Sequence, residues 1–339
     1  MTSSISLSII IPVYNGGESF RSCLASIRDS SRSPDELIVV SDGDTDGSWQ
    51  VAEAQGAKVL RLSGPGGPAR ARNLGAKVAQ GDVLFFIDAD VVVHSDTLNL
   101  VEQRFQQKDL AALIGSYDDE PGAVNFLSQY KNLFHHYTHQ VSSEAASTFW
   151  GACGAIRRSA FHEVGGFDES YRKPCIEDIE LGYRLKQAGY SIRLCKDVQV
   201  KHLKRWEPLS LLRAEIFYRA LPWTKLILRK RHVEADLNLN HANRLSVILV
   251  FMLVACLVAS ILVPWMIGVA AVSAMGLLTV NLAVYRFFYE KRGFLFALRV
   301  IPWHWFYFLY GGAAFAYGLI AYYWTSLSSP RTCDGLESS

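Results

Sequence analysis

Continuous apolar segments alternate with segments of helical periodicity through the first part of the chain. The segments LSIIIPVYN and ELIVVSDGD have the pattern of buried strands, and each ends in a turn-forming sequence. Between them, Phe20, Leu24 and Ile27 recur at the spacing of one helix face. A short strand at 58–62 and a fourth strand, DVLFFIDAD, repeat the alternation. This order predicts an α/β fold with right-handed crossovers and a mostly parallel sheet.

Polar residues follow several of these predicted strands. In an open sheet of this kind, ligands bind beyond the carboxyl ends of the strands, so Tyr14, Asp42, Asp88 and Asp90 are expected to share one crevice. If the fourth strand continues through FFIDAD, the Asp88 and Asp90 carboxylates point to the same side and repel each other. A hard divalent cation, Mg²⁺ or Mn²⁺, would relieve that repulsion and share its oxygen ligands with a phosphate. A strand that ends in an acidic turn is the alternative for a lone D-x-D.

Two further segments carry candidate chemistry. GPGGPARARN is a glycine loop that enters a helix, an arrangement that suits phosphate or nucleotide because exposed N–H groups and the helix dipole favour anions. IEDIELGYRL predicts a helix start with Glu177 and Asp178 in its first turn. Such acids either complement the helix dipole or, beside a bound sugar, remove a proton from an attacking hydroxyl.

A long helix predicted over 122–142 contains His135, His136 and His139. Their i, i+1 and i+4 spacing can hold a metal ion, but no nearby residues supply the remaining ligands. Packing, or a helix face near the acceptor, is the other interpretation of the three histidines.

The composition changes near Asn240. Half of the 339 residues are apolar, and they are concentrated after residue 245. Segments of about 20 apolar residues are long enough to cross the roughly 30 Å hydrocarbon layer of a bilayer. We predict about three spans, and a separate interfacial segment at Phe294–Pro302 that contains Arg299. The predicted spans are 245–263, 266–286 and 303–324.

The segment before the spans is basic. Between Lys201 and Arg231 there are nine Lys and Arg residues and two acids, which places this segment on the cytosolic side by the positive-inside rule. No DNA- or RNA-binding signature accompanies the charge, so nucleic acid is not expected as a partner. Residues 208–231 mix apolar and basic side chains, and Pro222 divides them into two predicted interfacial helices. Packing on the soluble domain is the alternative.

The cellular compartment is predicted from the first residues and the cysteines. Met1 to Ser8 lack the basic start and long apolar core of a signal peptide, so the first domain is expected in the cytosol. Six cysteines occur singly, without a C-x-x-C pair, as expected for reduced thiols.

With these motifs, the sequence resembles the family 2 glycosyltransferases, which are inverting enzymes of the GT-A fold. The motifs that carry the resemblance are SIIIPVYNGG, VVSDGDTDGS, GGPARARNLG, FFIDAD, and GGFDE followed by the E-D of IEDIELGYRL. They occur in the family's order and spacing across residues 6–190.

The resemblance implies a nucleotide-sugar donor, UDP- or GDP-linked, whose base contacts the first two motifs and whose diphosphate is held by Mg²⁺ or Mn²⁺. Asp90, the second aspartate of D-x-D, would bind that metal, and Asp178 matches the catalytic base. The implied donor-binding residues are Pro12, Tyr14, Asn15, Asp42, Arg72, Asp88, Ala89, Asp90, Glu177 and Arg205. The implied metal ligands are Asp88, Asp90 and His202.

The chain departs from the family pattern at two places. The usual D-D-G-S-T-D turn reads S-D-G-D-T-D, with Ser41 first and an additional acid at Asp44. HLKRW at 202–206 is similar to the Q-x-x-R-W of processive polysaccharide synthases, but His202 stands in place of Gln. Three spans are also too few for the product channel of those synthases, so a non-processive enzyme is the favoured interpretation. His202 is expected either to reach the metal or diphosphate or to have a structural role.

Together these features predict an inverting transfer of a sugar to a membrane-embedded lipid, a polyprenyl phosphate or a glycolipid. The expected location is the inner cell membrane, multi-pass, with a cytosolic catalytic domain and a possible homo-oligomer. A non-catalytic nucleotide-sugar-binding scaffold is the alternative, but it predicts losses among the acidic positions, and none is lost. The predicted domains are a GT-A domain at 1–206, interfacial helices and linker at 207–240, a transmembrane region at 241–326 and a tail at 327–339.

Overall fold

The computed structural model describes residues 5–230 and 241–328. The end of the predicted linker, residues 231–240, and nearly all of the predicted tail, with Cys333, lie outside the described residues.

Within the described residues, nine strands form one sheet. The strands are β1 Leu7–Val13, β2 Glu36–Ser41, β3 Lys58–Arg61, β4 Val83–Ile87, β5 Val91–Val93, β6 Ala112–Tyr117, β7 Ala145–Ala146, β8 Cys153–Arg157 and β9 Ile192–His202. Their order is β3-β2-β1-β4-β8-β6-β9-β5, and β7 pairs with β9. The first four neighbours are parallel, whereas β8 is antiparallel to both β4 and β6. The sheet is therefore mixed, and the prediction of a mostly parallel sheet holds for its first half only.

Thirteen α-helices and one π-helical segment accompany the sheet in the described residues. The helices of the catalytic half are α1 Gly17–Arg28, α2 Ser48–Ala54, α3 Pro68–Val78, α4 Thr97–Phe105, α5 Phe126–Val141, α6 Arg158–Glu163 and α7 Glu177–Gln187. The later helices are α8 Pro208–Arg213, α9 Leu221–Lys230, α10 His241–Ala259, α11 Met266–Val280, α12 Leu282–Arg292 and α13 Phe294–Ser328. The π segment, Ala214–Ala220, joins α8 to α9.

The central strands are apolar on both faces because both faces are covered. On β4, Phe85 belongs to the core cluster on one side of the sheet, while Leu84 and Phe86 belong to the cluster on the other. Successive side chains of a strand point to opposite faces, so a strand covered on both sides reads as a continuous apolar run. Hydrophobic burial on both faces therefore holds the carboxyl ends of β1, β2 and β4 at one edge.

The C-terminal helices pack directly on the catalytic half. Tyr130, Leu133 and Phe134 of α5 form one buried cluster with Phe288 of α12 and Val300 of α13. Polar contacts join the same parts, because Lys291 is paired with Asp119 at 2.5 Å, and Arg292 donates to the Gln129 side chain at 2.8 Å. Helix α5 thus serves both halves of the molecule.

One described helix, α10, is long and apolar enough to cross a membrane. Helices α11 and α12, bent by 61° at their junction, would count as a second candidate if they act as one span. The third predicted span, 303–324, lies within α13, which is not a candidate by the same test. Three spans are therefore not confirmed.

Two predicted boundaries in this region are wrong. Phe294–Pro302 is not a separate segment, since α13 runs without interruption from Phe294 through Pro302. Pro222 does not divide the helices before the linker, because it lies in the first turn of α9, where a proline is tolerated. The irregularity there is the π segment that precedes it.

Candidate active site

A cavity of about 870 Å³ lies beyond the end of β4, and half of the predicted site residues line it. Its walls come from the β4–β5 turn, α5, the start of α7, the residues after β9, the π segment and α13. The predicted site residues that line it are Arg72, Asp88, Asp90, Glu177, Asp178 and His202.

The glycine loop adjoins this cavity and is held by Asp42. The backbone N–H groups of Gly66 and Gly67 donate to the two carboxylate oxygens of Asp42 at 2.7 and 2.9 Å. Gly67 has φ +92°, a conformation that L side chains rarely adopt, and its position allows the loop to pass the backbone of Arg172. Asp42 therefore fixes the loop from which α3 begins.

Pro12, Tyr14 and Asn15 lie on the β1 side of the same edge, outside the cavity walls. Pro12 is in register with Val40 of β2, and Tyr14 is exposed. Asn15, with φ 51°, accepts a hydrogen bond from the Thr45 backbone N–H at 2.8 Å. Asn15 therefore helps to fix the turn after β2.

Neither Asp88 nor Asp90 lies on a strand, so the strand geometry predicted from their spacing is wrong. Strand β4 ends at Ile87, and Asp88 to Asp90 form a turn closed by a 3.2 Å hydrogen bond from the Val91 N–H to the Asp88 carbonyl. The two carboxylates have different partners. Asp88 accepts from Arg72 at 2.7 Å, whereas Asp90 faces His202. Half-buried Ala89 separates them.

Arg72 organises the carboxylates on the α3 side of the cavity. Its buried guanidinium donates to Asp88 at 2.7 Å and to Glu177 at 2.9 Å. Burial by itself would lower the pKa of Arg72, but Asp88, Glu177 and Asp178 outweigh it and raise that pKa. Glu177 also accepts from the Cys175 N–H at 2.9 Å, so this acid is fully engaged in the network.

His202 is oriented so that one ring nitrogen faces Asp90. The ring stacks on Tyr117 at 4.4 Å, and Nδ1 lies 2.7 Å from the Asn132 side-chain oxygen, to which it can donate. Nε2 lies 3.5 Å from Asp90 Oδ2. Burial would raise the pKa of Asp90, but His202 and then Lys204 hold it at about 2.

These donors suit a divalent cation. An imidazole nitrogen fixed by a hydrogen bond to its other nitrogen, next to an ionised carboxylate, is a common pair of metal ligands. Among the described residues no group of three or more His, Cys, Asp or Glu is gathered as a metal site. Asp90 and His202 would therefore hold Mg²⁺ or Mn²⁺ together with oxygens from another source, such as a diphosphate.

Asp178 lies at the start of α7 with its carboxylate in the cavity wall. It accepts hydrogen bonds from the backbone N–H groups of Gly151 at 3.1 Å and Ile179 at 2.8 Å. Burial and the neighbouring Glu177 raise the pKa of Asp178 to about 6, against the opposing effects of those N–H groups and Arg72. A carboxyl with such a pKa is suited to exchange a proton near neutral pH.

Arg205 does not reach the cavity. Its side chain is exposed and pairs with Glu207 at 2.8 Å. His136 and His139 contact the carbonyls of Tyr117 and Gly115 through Nδ1, as the packing interpretation predicted.

Several cavity residues were not predicted from the sequence. Lys131 of α5 and Glu215 and Arg219 of the π segment form an ion-paired group in the wall, and Tyr307 of α13 lies in the wall as well. Arg219 was one of the nine basic residues counted between Lys201 and Arg231. Only the packing of the helices reveals that its side chain faces the cavity.

Comparison with known proteins shows what the first part of the chain is similar to. Residues 8–165 match the model of glycosyl transferase family 2, and residues 132–206 match that of the N-terminal domain of galactosyltransferase. Glycosyltransferase GlyG of Streptococcus pneumoniae is 32% identical over 128 residues, which are 35% of this chain and 42% of GlyG. The O-antigen chain rhamnosyltransferase RfbN of Salmonella typhimurium is 27% identical over 236 residues, which are 64% of this chain and 74% of RfbN.

The fold is similar to that of a solved structure. Mannosyltransferase PcManGT from Pyrobaculum calidifontis, in complex with GDP-Man and Mn²⁺, matches with a TM-score of 0.57 at 16% identity. The match covers 96% of this chain and 88% of that one, so it includes the C-terminal helices. This likeness confirms the predicted GT-A fold.

Proposed function

Because residues 8–165 match the family 2 glycosyltransferase model, we propose that the protein transfers a sugar from a nucleotide sugar to a membrane lipid. The observation that carries the proposal is the continuity of the cavity. The same space is lined by Asp90 and Asp178 at one side and by the π segment and Tyr307 of the C-terminal helices at the other. A water-soluble donor and a membrane-derived acceptor can therefore meet in it.

The donor would bind along the edge formed by the first two strands and the glycine loop. Tyr14 is exposed there and free to contact a nucleotide base, and the loop fixed by Asp42 leads into α3, which carries Arg72. PcManGT, which has a similar fold, was solved with GDP-Man and Mn²⁺, and this supports a nucleotide-linked donor here. We propose a UDP- or GDP-linked sugar.

Asp90 and His202 would hold the divalent metal, which when bound neutralises charge on the diphosphate leaving group. In the transfer, Asp178 takes the proton of the acceptor hydroxyl, and the hydroxyl oxygen bonds to the anomeric carbon from the face opposite the diphosphate. The bond from that carbon to the diphosphate breaks, and the anomeric configuration inverts. Arg72 keeps Asp88 and Glu177 in place beside the reacting groups.

A membrane location is supported by the hairpin of α10 and α11. The two helices pack side by side, and the turn between them exposes Ile261 at 80% and Leu262 at 86%. An exposed apolar tip of this kind is typical of a segment that inserts into lipid. We propose a multi-pass protein of the inner membrane, with the catalytic domain on the cytosolic face and one sugar added per encounter.

A direct assay tests this function. The detergent-purified full chain would be incubated with UDP- and GDP-sugars, Mn²⁺ or Mg²⁺ and a bacterial membrane lipid extract, and the lipids analysed by mass spectrometry. We expect one lipid class to gain the mass of one sugar, and the Asp178→Asn variant to form far less of it. Repeated additions to one lipid would contradict the single transfer. Sugar transfer to a water-soluble acceptor, without any lipid product, would contradict the lipid acceptor.

A further inference from the structure

Three charged side chains form a group in the cavity wall opposite the catalytic carboxylates. Lys131 of α5 lies 2.6 Å from Oε1 of Glu215, and Arg219 lies 3.4 Å from the same oxygen. Lys131 and Glu215 are largely buried, whereas the Arg219 side chain is partly exposed to the cavity. One carboxylate is thus shared by two cations, so one positive charge is in excess when both cations are protonated.

The surroundings of the group add hydrogen-bond donors. His135, one turn after Lys131 on α5, lines the cavity, and its buried Nδ1 has no hydrogen-bond partner in the structure. Burial, and then the neighbouring His139, lowers the pKa of His135, so this ring is neutral and keeps one N–H to donate. Such a site is suited to an anion with several oxygens.

An apolar rim adjoins the cations. Leu209 of α8 and Phe217 of the π segment line the cavity and are 83% and 59% exposed. On the other side, Tyr307 brings α13 into the wall. Cations next to exposed apolar side chains match the two parts of an anionic lipid, a phosphate and a hydrocarbon chain.

The backbone at this place is unusual as well. Glu215 and Arg219 lie on the π segment, and π-helical turns are rare and occur frequently at functional sites. A buried ion pair seldom stabilises a fold more than apolar packing would, so the group calls for a role beyond holding the π segment to α5.

We propose that Lys131 and Arg219 bind the phosphate group of an anionic lipid acceptor, and that Glu215 occupies the place of that phosphate until the acceptor enters. This inference rests on the proposed function and specifies its acceptor as a lipid phosphate or diphosphate that also carries a free hydroxyl, as a lipid-linked sugar does. When the acceptor binds, its phosphate oxygens replace the Glu215 carboxylate as partners of the two cations. The reacting hydroxyl of the same acceptor then lies on the Asp178 side of the cavity.

Binding measurements without donor test the proposal on the full-length protein in detergent. Trp150 and Trp206 line the cavity, so their fluorescence can report occupancy. The probes are farnesyl phosphate, farnesol and inorganic phosphate, with UDP and GDP in Mn²⁺ as separate titrations. The variants are Lys131→Met, Arg219→Met and Glu215→Gln. Arg104→Met serves as the control, because it removes a cation that pairs with Asp197 away from the cavity.

We expect Lys131→Met and Arg219→Met to weaken farnesyl phosphate binding about tenfold or more each, the effect of losing one charge-assisted hydrogen bond. Glu215→Gln removes the competing carboxylate and should tighten the same binding several-fold. Arg104→Met should bind like the wild type. Farnesol should bind weakly to all forms, and UDP and GDP affinities should not change among them. Inorganic phosphate should bind far more weakly than farnesyl phosphate.

Opposite results would overturn the proposal. If Glu215→Gln and the two cation variants weaken farnesyl phosphate binding alike, Glu215 supports the site instead of occupying it. If the cation variants weaken UDP or GDP binding and leave farnesyl phosphate unaffected, the group belongs to the donor. Equal binding of inorganic phosphate and farnesyl phosphate would contradict a lipid ligand. The proposed function can hold even if this anion site does not exist. In that case the protein would transfer sugar to an uncharged glycolipid, and all four variants would have unchanged kinetics.

Discussion

At the scale of single residues, Asp178 shows how the fold raises the pKa of a carboxyl group. Its carboxylate is close to Glu177 and removed from bulk water, and both effects raise its pKa to about 6. The ionised form at neutral pH is therefore less stable in the folded protein than in the unfolded chain, where the ordinary pKa is 3.8. A group held in this way gains stability by accepting a proton.

The first prediction concerns the pH dependence of activity. A general base must be ionised, so kcat should fall as the pH decreases through about 6, where Asp178 becomes protonated. The measurement is the initial rate between pH 5 and pH 8 at saturating donor and acceptor. A flat profile in this range would mean that proton removal by Asp178 does not limit the rate, as with an acceptor phosphate that is already ionised.

The second prediction concerns Asp178→Asn. The substitution keeps the shape of the side chain but removes the basic oxygen, so kcat should fall by roughly 10² to 10⁴ with donor affinity near that of the wild type. Because the folded-state pKa is raised, stability from this group is lost as pH increases from about 4 to 6. At pH 7 the Asn variant should therefore unfold at a higher temperature, by an increase in unfolding free energy of about 1–3 kcal/mol. A lower Tm would show that the charge serves the helix dipole instead.

The third prediction concerns the metal. Asp90→Asn removes a charged oxygen ligand next to His202, so Mn²⁺-dependent nucleotide binding should weaken at least about tenfold. The measurement is calorimetric titration of UDP or GDP with Mn²⁺ and with chelator. Asp197→Asn, at an exposed ion pair, is the matched control and should bind as the wild type does. If the wild type binds UDP or GDP equally well with chelator and with Mn²⁺, the metal site is contradicted.

The residues of this site were only partly predictable. Asp178 and Asp90 belong to a recognisable motif order, and the structure places both in one cavity. Arg205 belongs to such a motif too, yet it is exposed, because the chain after β9 turns its side chain towards Glu207. Lys131 has no motif at all, and its role depends on a partner 84 residues later in the sequence. Long-range partners are set by packing, which single-residue patterns do not encode.

At the scale of elements, the start of α3 depends on one glycine. Gly67 has φ +92°, and a Cβ there would lie 2.6 Å from the backbone carbon of Arg172. The loop before α3 can approach Arg172 only because no side chain intervenes. The same loop sets the position of Arg72, one turn into the helix.

The fourth prediction follows from this contact. Gly67→Ala should lower the unfolding free energy by about 1–3 kcal/mol and weaken nucleotide binding, since the loop and Arg72 must shift. Gly189→Ala is the control, because Gly189 also has a positive φ, +84°, but an added Cβ there has no neighbour within 4 Å. The loss of unfolding free energy in Gly189→Ala measures the effect of the backbone conformation alone, and nucleotide binding by this variant should be unchanged. Equal effects of the two variants on binding would contradict the role of the Arg172 contact.

Elements were predicted well where one periodicity dominates. Strands β1, β2 and β4 are apolar on both faces and flanked by turn residues, and the structure confirms them. The end of β4 was misplaced because FFIDAD alone does not tell whether the strand continues past Ile87. The π segment was missed because its sequence also fits an α-helix, and only its packing selects the wider turn.

At the scale of the whole molecule, α5 joins the two halves. One side of this helix lines the cavity through Lys131 and His135, and another packs against α12 and α13 through Tyr130 and Leu133. The catalytic half and the C-terminal helices therefore share a core through α5. A composition change reveals where apolar helices begin but not what they cover.

The fifth prediction tests this dependence. A chain truncated after residue 230 loses α10 to α13 and exposes the apolar side of α5 to water. We expect it to unfold at a Tm several degrees below that of the full chain in the same detergent, and to aggregate without detergent. The measurement is thermal unfolding followed by near-UV circular dichroism, with UDP and Mn²⁺ as a check that the donor edge is intact. An unchanged Tm would contradict the shared core.

The placement of Tyr307 in the cavity wall has a consequence for how specificity can diverge among related chains. The residues that would hold the donor come from the first strands and α3, whereas another part of the wall comes from α8, the π segment and, through Tyr307, α13, far away in sequence. Substitutions in that later wall can change which acceptor is accepted while the nucleotide half remains intact. A chimera that exchanges α8, the π segment and the C-terminal helices together would then inherit its donor from one parent and its acceptor from the other.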